Sequence, residues 1–334
     1  MKILALPMFA VLALVVMSGT IYNTNAQSIE CGQTITQSVT LDSDLNCVNS
    51  GTDGIVIGAN GIILDCAGHT ISGPVSSYRG MTGLDGITLV HANGVTVKNC
   101  HVAYFDNGFV VRSISTDNKL VYDKADNNGN YGFDIMTNSN NNQLYHDEAA
   151  HNGGYGFVME AGSNGNQVDS SLSSGNTEAG FVALTGSNDT AFENDKSYKN
   201  LQDGFIISSS SSGTIQNSQA VENAYSGFAL FGSSGASIGN NTSTSNGMGG
   251  YLLVVSSSNK LDNNNAEKNG QDGFLADSDS IGNVISNNTS TENTGIGYED
   301  STQGSSAPGT ANTYDSNLCQ DNRAGLSSPT GLCN

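Results

Sequence analysis

The sequence predicts an all-β solenoid of about eleven short coils stacked along one axis. The main observation is a repeat of a glycine followed by an aromatic or aliphatic residue, in steps of 22 to 24 residues, at Gly86, Gly108, Gly132, Gly156, Gly180, Gly204, Gly227, Gly250, Gly273 and Gly295. A fixed period of this length is typical of solenoids. Composition agrees, because 41 glycines and abundant Ser and Asn disfavour helices and favour extended coils joined by turns.

The first 26 residues have the order of a secretory signal peptide. Lys2 precedes an apolar run from Ile3 to Met17, and small and polar residues then lead to a plausible cleavage site after Ala26. The run is short for a membrane span. We therefore expect a secreted, extracellular or cell-envelope protein with no membrane insertion after signal removal.

Charge narrows the classes of partner. The formal net charge is -20, and removal of Lys2 with the signal would make it -21. An acidic chain repels phosphates and anionic lipid head groups, which disfavours nucleic acid and membrane surfaces. Cations or neutral glycans are the partners that this charge favours.

Residues 27–53 are predicted as an N-terminal cap, residues 54–301 as the solenoid, and residues 302–334 as the last coil and C-terminal cap. Open solenoid ends expose unpaired strand edges, which a terminal segment can cover. Two insertions, around residues 73–82 and at 301–311, interrupt the period. Such insertions either carry binding loops or are solvated excursions.

Six cysteines in an exported chain favour disulfides. Their placement suggests that Cys31 pairs with Cys47 and Cys319 with Cys333. Aligning the coils places Cys66 and Cys100 at equivalent positions of consecutive coils, within disulfide reach.

The alignment also produces two columns of equivalent residues. The first is apolar and consists of Ile63, Val97, Leu120, Leu144, Val168, Phe192, Ile215, Ile238, Leu261, Ile285 and Tyr314. The second follows eight residues later and consists of Asn128, Asn152, Asn176, Asn200, Asn223, Asn246, Asn269, Asn293 and Asn322. Asn tolerates left-handed turns, and its amide can bond the equivalent amide about 4.8 Å away in the next coil. The columns predict an apolar interior and a stacked Asn ladder.

Strand alternation sorts the residues after each repeat glycine. The aromatic residues from Phe109 to Phe274 should point inward as one stack. The outward positions include an apolar patch of Val182, Leu184, Ile206, Phe231, Leu252 and Val254, with Ala229 and Leu275 beside it. An apolar patch of this size indicates a partner, self-association through this face, or cover by the segment from Ser301 onward.

These N-x-x-G-[FI] and I-x-N-N units resemble the repeat of the right-handed parallel β-helix, or pectin-lyase-like, superfamily. The resemblance covers roughly residues 54–301 and implies the architecture. It does not select a function, since this scaffold carries lyases, hydrolases, epimerases, adhesins and accessory proteins. The paired aspartates and Gly-His-Gly element of the polygalacturonase type are absent from this sequence.

The segment Tyr131-Gly132-Phe133-Asp134-Ile135-Met136 resembles the Tyr-Gly-Phe-Asp-Pro-His motif of the mannuronan epimerases. Tyr131 and Asp134 carry over, whereas Met136 stands where that motif has its imidazole. With Arg112 on the preceding coil, the resemblance implies a catalytic or ion-binding group, to which we add His146, Asp147, His151 and Glu160. Alternatively, Tyr131 caps the turn, Arg112 pairs with a surface carboxylate and Asp134 is solvated.

The leading functional hypothesis is a secreted binding or structural protein that contacts a polysaccharide or cell-surface glycan. The alternative is a lyase or epimerase acting on a uronate-containing polysaccharide, with Tyr131, Asp134 and Arg112 as its catalytic residues. No cofactor is expected, although the acids near Asp123, Asp126 and Asp147 could bind calcium at turns.

Overall fold

The computed structural model describes residues 29–74, 83–306 and 308–334, and all regular structure in these residues is β-strand. The proposed signal peptide at 1–26 and most of the 73–82 insertion lie outside the described residues. Within the described ranges, no helix has the length and hydropathy needed to cross a membrane. The prediction of an all-β solenoid is confirmed.

The strands of the described residues form three parallel sheets of 13, 12 and 12 strands, and each coil contributes one strand to each sheet in turn. The first sheet contains Gln33–Ile35, Ile55–Ile57, Asp85–Val90, Asn107–Arg112, Phe133–Ile135, Phe157–Met159, Phe181–Ala183, Phe205–Ser208, Phe228–Phe231, Tyr251–Val254, Phe274–Ala276, Ile296–Asp300 and Gly325–Ser328.

The second sheet follows the first along the chain. It contains Val39–Thr40, Ile63–Asp65, Thr96–Lys98, Lys119–Val121, Gln143–Tyr145, Gln167–Asp169, Ala191–Glu193, Thr214–Gln216, Ser237–Gly239, Lys260–Asp262, Val284–Ser286 and Thr313–Asp315. The third sheet contains Leu45–Asn46, Thr70–Ser72, His101–Ala103, Lys124–Asp126, Glu148–Ala150, Leu172–Ser174, Lys196–Tyr198, Gln219–Val221, Thr242–Thr244, Asn265–Glu267, Thr289–Thr291 and Leu318–Gln320.

Strand register confirms the prediction of about eleven coils and corrects two positions. In the apolar column Leu64, and not Ile63, pairs with Val97, and Ile63 is 39% exposed. The repeat glycine of the last unit is Gly297 and not Gly295, because Tyr298 pairs with Phe274. The first error arose because Ile63 and Leu64 are adjacent apolar residues and only Leu64 points inward. The second arose because two glycines two residues apart, Gly295 and Gly297, each precede a residue of the repeat type.

The N-terminal segment, predicted as a cap, forms a coil of its own. Its three strands pair with the strands of the next coil in all three sheets. Val39 therefore adds a further member to the apolar column and is buried. The segment can cover the end of the solenoid because it continues the same hydrogen-bonding pattern.

The aromatic residues of the first sheet form a continuous stack in the core. Neighbouring rings have centroids 4.6–4.9 Å apart and planes within 2–7° of parallel. The members are Phe109, Phe133, Phe157, Phe181, Phe205, Phe228, Tyr251, Phe274 and Tyr298, one more than predicted. Burial of each ring contributes about 2 kcal/mol through lost water contact.

The glycine before each stacked ring is required by close approach of the backbone. A Cβ on Gly132 would lie 2.6 Å from the carbonyl oxygen of Gly156 and 2.8 Å from Cβ of Ala149. Real Cβ atoms do not make such contacts, so the next coil could not stack at this distance. The repeat that organises the sequence thus follows from the spacing between coils.

The predicted Asn ladder is present, and every member is buried. Asn128 shows the pattern: its Nδ2 donates to Oδ1 of Asn152 at 3.0 Å, and its backbone N–H donates to the same oxygen at 3.0 Å. At each turn from the third sheet back to the first, the ladder therefore supplies an acceptor for a buried backbone N–H.

Two further buried polar columns were not predicted. One precedes the second sheet and includes Asn118, Asn142, Asn166, Asn259, Asn283 and Asn312. The other lies where the second sheet turns into the third, and we call it the corner column: Asp123, Asp147, Ser171, Asp195, Ser218, Asn241, Asn264, Asn288 and Asn317. The mixture of residue types in the corner column hid it in the sequence.

All three disulfides are formed as predicted, with Cα atoms 5.6, 4.7 and 5.8 Å apart for Cys31–Cys47, Cys66–Cys100 and Cys319–Cys333. The middle pair is offset by one residue from the predicted alignment, since Cys66 lies two positions after Leu64 and Cys100 three after Val97. The bridges tie down both ends of the solenoid.

We expect Asn200→Leu to lower the free energy of unfolding by about 3 kcal/mol or more. The substitution removes the acceptor of Asn176 and the donor to Asn223, bonded at 2.9 and 3.1 Å, and leaves buried polar groups unpaired. Urea denaturation measures the change. The control is Asn217→Gly at an exposed turn with φ of 54°, where we expect a change below about 0.5 kcal/mol. Equal effects of the two substitutions would contradict a stabilising role for the ladder.

Candidate functional site

The candidate site lies on the outward side of the first sheet and of the turn before it, a surface that we call the outer strip. Its central row is mostly apolar and consists of Thr88, Val110, Asp134, Val158, Val182, Ile206, Ala229 and Leu252. Its turn-side row consists of Asp85, Asn107, Tyr131, Tyr155, Ala179 and Asp203. Its far row includes Arg112, Met136, Glu160, Leu184, Phe231 and Val254.

The middle of the outer strip is an apolar floor between half-buried side chains. Val158, Val182 and Ala229 are fully buried and Ile206 is 8% exposed. The hydrophobic side chains packed against this floor are Tyr131, Tyr155, Leu184, Phe231 and Leu252, which all belong to coils of the strip itself. The predicted apolar patch is thus partly floor and partly rim. None of the hydrophobic residues packed against it comes from the described residues of the segment from Ser301 onward.

Two tyrosines line the turn side of the floor. The rings of Tyr131 and Tyr155 stack with centroids 5.4 Å apart and planes 15° from parallel. Burial raises the pKa of both hydroxyls, and the carboxylates of Glu160 and Glu178 raise the pKa further. Tyr155 also donates a hydrogen bond to Glu178. Both hydroxyls therefore stay protonated near neutral pH. The Tyr131 hydroxyl can donate to a ligand, whereas the Tyr155 hydroxyl donates to Glu178 and can still accept a hydrogen bond.

Asp134 points outward as predicted from alternation, but it is 3% exposed and not solvated. Its Oδ1 has no hydrogen-bond partner among the described residues. Burial raises the pKa of this carboxyl well above its usual range, the carboxylates of Glu160 and Asp85 add to the shift, and Arg112 opposes it. A protonated Asp134 can donate a hydrogen bond to a ligand above the floor.

Arg112 reaches across the strip to the turn side. Its Nη1 lies 3.5 Å from Oδ2 of Asp85, whose other oxygen accepts a bond from Asn107 at 2.9 Å. Burial raises the pKa of Asp85, with Arg112 opposing the shift. The positive charge of Arg112 is therefore engaged within the chain. The alternative expectation was a surface carboxylate, whereas Asp85 is buried.

The structure brings Tyr131, Asp134, Arg112 and Glu160 onto the outer strip but separates the other residues we had grouped with them. His151 Nδ1 lies 3.2 Å from Asp126 of the third sheet. The exposed ring of His146 stacks on Tyr122 at the turn between the second and third sheets, and the three rows of the strip contain no histidine. The grouping failed because the turns carry these residues to other faces of the coil.

Sequence reasoning missed Asp203 on the turn side of the strip. Burial raises its pKa to about 6, while the N–H of Ser226 donates to it at 2.8 Å. The available signal was an Asp in the position that Tyr131 and Tyr155 occupy in earlier coils. The strip is therefore strongly acidic, with Asp85, Asp134, Glu160, Glu178 and Asp203 against Arg112.

The acids near the turns do not form a metal-type cluster. In the part of the chain that the structure describes, no group of three or more His, Cys, Asp or Glu side chains is placed to hold a metal ion. Asp123 and Asp147, named as calcium candidates, are buried in the corner column, and Asp126 contacts His151.

Comparison with solved structures finds related architectures. The chain is similar to the periplasmic alginate epimerase AlgG, at 13% identity over 88% of this chain and 76% of that chain, with a TM-score of 0.66. It is similar to the A-module of the mannuronan C-5 epimerase AlgE6 of Azotobacter vinelandii, at 15% identity over 89% and 87%, with a TM-score of 0.65. The catalytic domain of a GH87 alpha-1,3-glucanase matches at 14% identity over 91% and 60%, with a TM-score of 0.59.

At these identities the likeness shows the fold alone, and it agrees with the resemblance to mannuronan epimerases seen in the sequence. No curated protein matches the chain. The family model described as right handed beta helix region matches residues 32–197 and 191–328. Since these two matches span most of the chain, the protein belongs to the family of right-handed β-helix proteins.

Proposed function

We propose that this protein binds a neutral glycan along the outer strip. The observation that carries the proposal is the pair of stacked, half-buried tyrosines beside an apolar floor, Tyr131 and Tyr155, with protonated hydroxyls at their tips. Carbohydrate-binding sites need apolar surface for the sugar ring and a few fixed polar groups for its hydroxyls. The strip offers both on a rigid sheet.

The charge of the strip favours a neutral ligand over a uronate polymer. Glu160, Glu178 and Asp203 lie around the floor, whereas Arg112 is engaged by Asp85. Among the described residues of the strip, a polyanion would meet these like charges, and Arg112, the cation named in the three rows, is already engaged. A neutral sugar can instead donate its hydroxyls to the carboxylates.

A carbohydrate-related role is consistent with the fold, because the similar structures include two polysaccharide epimerases and a glucanase. An extracytoplasmic location is consistent with three disulfides, which persist in oxidising compartments. We propose that the protein is secreted or held in the cell envelope. The proposal needs no cofactor, and calcium at the turns remains a separate proposal.

We expect Tyr155→Ala to weaken glycan binding by about tenfold or more, because the substitution removes one of the two rings beside the floor. A glycan array identifies the ligand, and calorimetry with that ligand measures the dissociation constant. Tyr122→Ala is the matched control, since Tyr122 is 61% exposed on a different face of the solenoid. No binding of the wild-type chain at millimolar concentrations of neutral glycans would contradict the proposal.

Self-association through the rim of the strip is the competing use of this surface. Sedimentation of the wild-type chain and of Phe231→Ser separates the two, because Phe231 is a half-buried rim residue away from the tyrosines. A dimer that dissociates in this variant would assign the strip to a second copy and would count against a free glycan site.

Asp134 supports a second candidate function, a lyase or epimerase acting on uronates. Such a reaction removes the proton next to a carboxylate, which requires a base and a group that neutralises the carboxylate. Protonated Asp134 and Tyr131 are suited to donate protons, so the base would be Glu160, whose pKa burial raises. Arg112 would have to exchange Asp85 for the substrate carboxylate.

For this second candidate, we expect Glu160→Gln and Asp134→Ala each to lower turnover of alginate or pectate by about a hundredfold or more. Unsaturated-uronate absorbance measures lyase activity, and NMR of epimer ratios measures epimerisation. Glu222→Gln, at an exposed ion pair with Lys199, is the control that should not change either rate. Activity unchanged in Asp134→Ala would remove this residue from the site.

A further inference from the structure

The corner column changes its chemistry along the solenoid. Its first five members are Asp123, Asp147, Ser171, Asp195 and Ser218, and its last four are asparagines. All three carboxyl groups are 1% exposed. Equivalent backbone positions therefore hold acids in the earlier coils and amides in the later coils.

The amides show which hydrogen bonds the position offers. Oδ1 of Asn264 accepts the N–H of Asn241 at 3.0 Å, and its Nδ2 donates to the carbonyl oxygen of Ile238 at 2.8 Å. Asn241, Asn288 and Asn317 also donate to the second-sheet carbonyl of the preceding coil, at 2.8–2.9 Å. Each corner thus supplies one donor to a buried acceptor and one acceptor to a buried donor.

Asp147 and Asp195 make the acceptor hydrogen bond of this pattern but not the donor bond. Oδ1 of Asp147 accepts the N–H of Asp123 at 2.7 Å, and Oδ1 of Asp195 accepts the N–H of Ser171 at 2.8 Å. Oδ2 of each has no hydrogen-bond partner among the described residues. By strand register, the carbonyls equivalent to that of Ile238 are those of Leu120 and Val168. A carboxylate cannot donate to them, whereas a protonated carboxyl can.

We propose that Asp147 and Asp195 are built into the fold as protonated acids that replace the amide donor of the column, so that the coils carrying them are more stable in acid than in base. The proposal goes beyond the proposed glycan binding and does not depend on it.

The surrounding charges act in the same direction. Asp147 faces Asp123 and Asp195 of its own column, and Asp195 also faces Asp169 and Glu193 of the second sheet. Burial raises the pKa of both carboxyls well above the usual range, and these carboxylates add to the shift. Backbone N–H groups oppose it: those of Asp123 and Tyr145 lower the pKa of Asp147, and those of Ser171 and Glu193 lower the pKa of Asp195. Asp123 has a raised pKa for the same principal reason, although backbone N–H groups of Cys100 and Val121 donate to its two oxygens.

The sign of the pH dependence follows from linkage. A carboxyl with a pKa of about 3.9 in the unfolded chain and a higher pKa in the folded chain binds its proton more tightly when folded. Its stabilising contribution is complete below about pH 4 and is lost as the pH rises through the folded pKa. General repulsion among the 31 acidic residues has the same sign, so variants must be compared with the wild type at each pH.

The experiment measures urea denaturation of the full chain, Asp147→Asn, Asp195→Asn and the double variant at about pH 4.5 and about pH 8. At the higher pH we expect each substitution to Asn to stabilise the protein, lowering the equilibrium constant for unfolding by about tenfold or more. At the lower pH we expect a much smaller effect. Asn occupies the same column in four later coils, so both variants should fold. Asp279→Asn, at an exposed turn, is the control for loss of one negative charge.

Two results would overturn the proposal. One concerns the difference in unfolding free energy between the wild type and the double variant. This difference would have to be the same at both pH values, or no larger than the difference between the wild type and Asp279→Asn. The other is an infrared result near neutral pH. If Asp147 and Asp195 are protonated, the folded wild-type chain has a protonated-carboxyl band that the double variant lacks; identical spectra in this region would show that these groups are ionised.

Discussion

Hydrogen bonding between equivalent side chains of successive coils is the constraint on which this structure depends. Short strands of mostly three residues leave a turn at every corner, and each turn brings backbone groups into the interior. Buried N–H groups must find acceptors, and the Asn ladder and the corner column provide them one coil at a time. The stacked rings then fill the space that these bonded corners enclose.

The same constraint explains why the residues that vary from coil to coil lie on the outside. An inward residue has neighbours on both sides along the solenoid axis and must match them, as the Phe column does. An outward residue is free of that requirement, so the outer strip changes from acids and tyrosines near Asp134 to aliphatic residues near Leu252. Rigidity from the interior and variety on the surface let one scaffold carry many ligands.

The fold was predictable because it is periodic. The repeat glycine, the Phe column and the Asn ladder recur in almost every coil, and each has one physical cause that can be recognised from spacing alone. Errors arose where two neighbours competed for an inward position, as with Ile63 and Leu64. The corner column could not be recognised from the sequence, because Asp, Ser and Asn accept equivalent backbone hydrogen bonds there although they are different residue types.

The site was predictable only in part. Alternation placed Tyr131, Asp134 and Arg112 on one face, but it carried no information about depth, and Asp134 is buried where a solvated carboxylate was the alternative. The grouping of His146 and His151 with these residues was wrong, because a turn of a few residues carries the chain to another sheet. Long-range geometry of this kind is set by the coil and not by sequence distance.

The corner column and the outer strip occupy the same coils. Asp134 and Asp147 belong to one coil, which runs from Phe133–Ile135 through Gln143–Tyr145 to Glu148–Ala150. In a solenoid each coil is stabilised chiefly by its two neighbours, so loosening at one corner weakens that coil locally. The two proposals together therefore predict a thermodynamic link: a ligand that stabilises the strip would strengthen proton binding in the column, and acid would strengthen ligand binding.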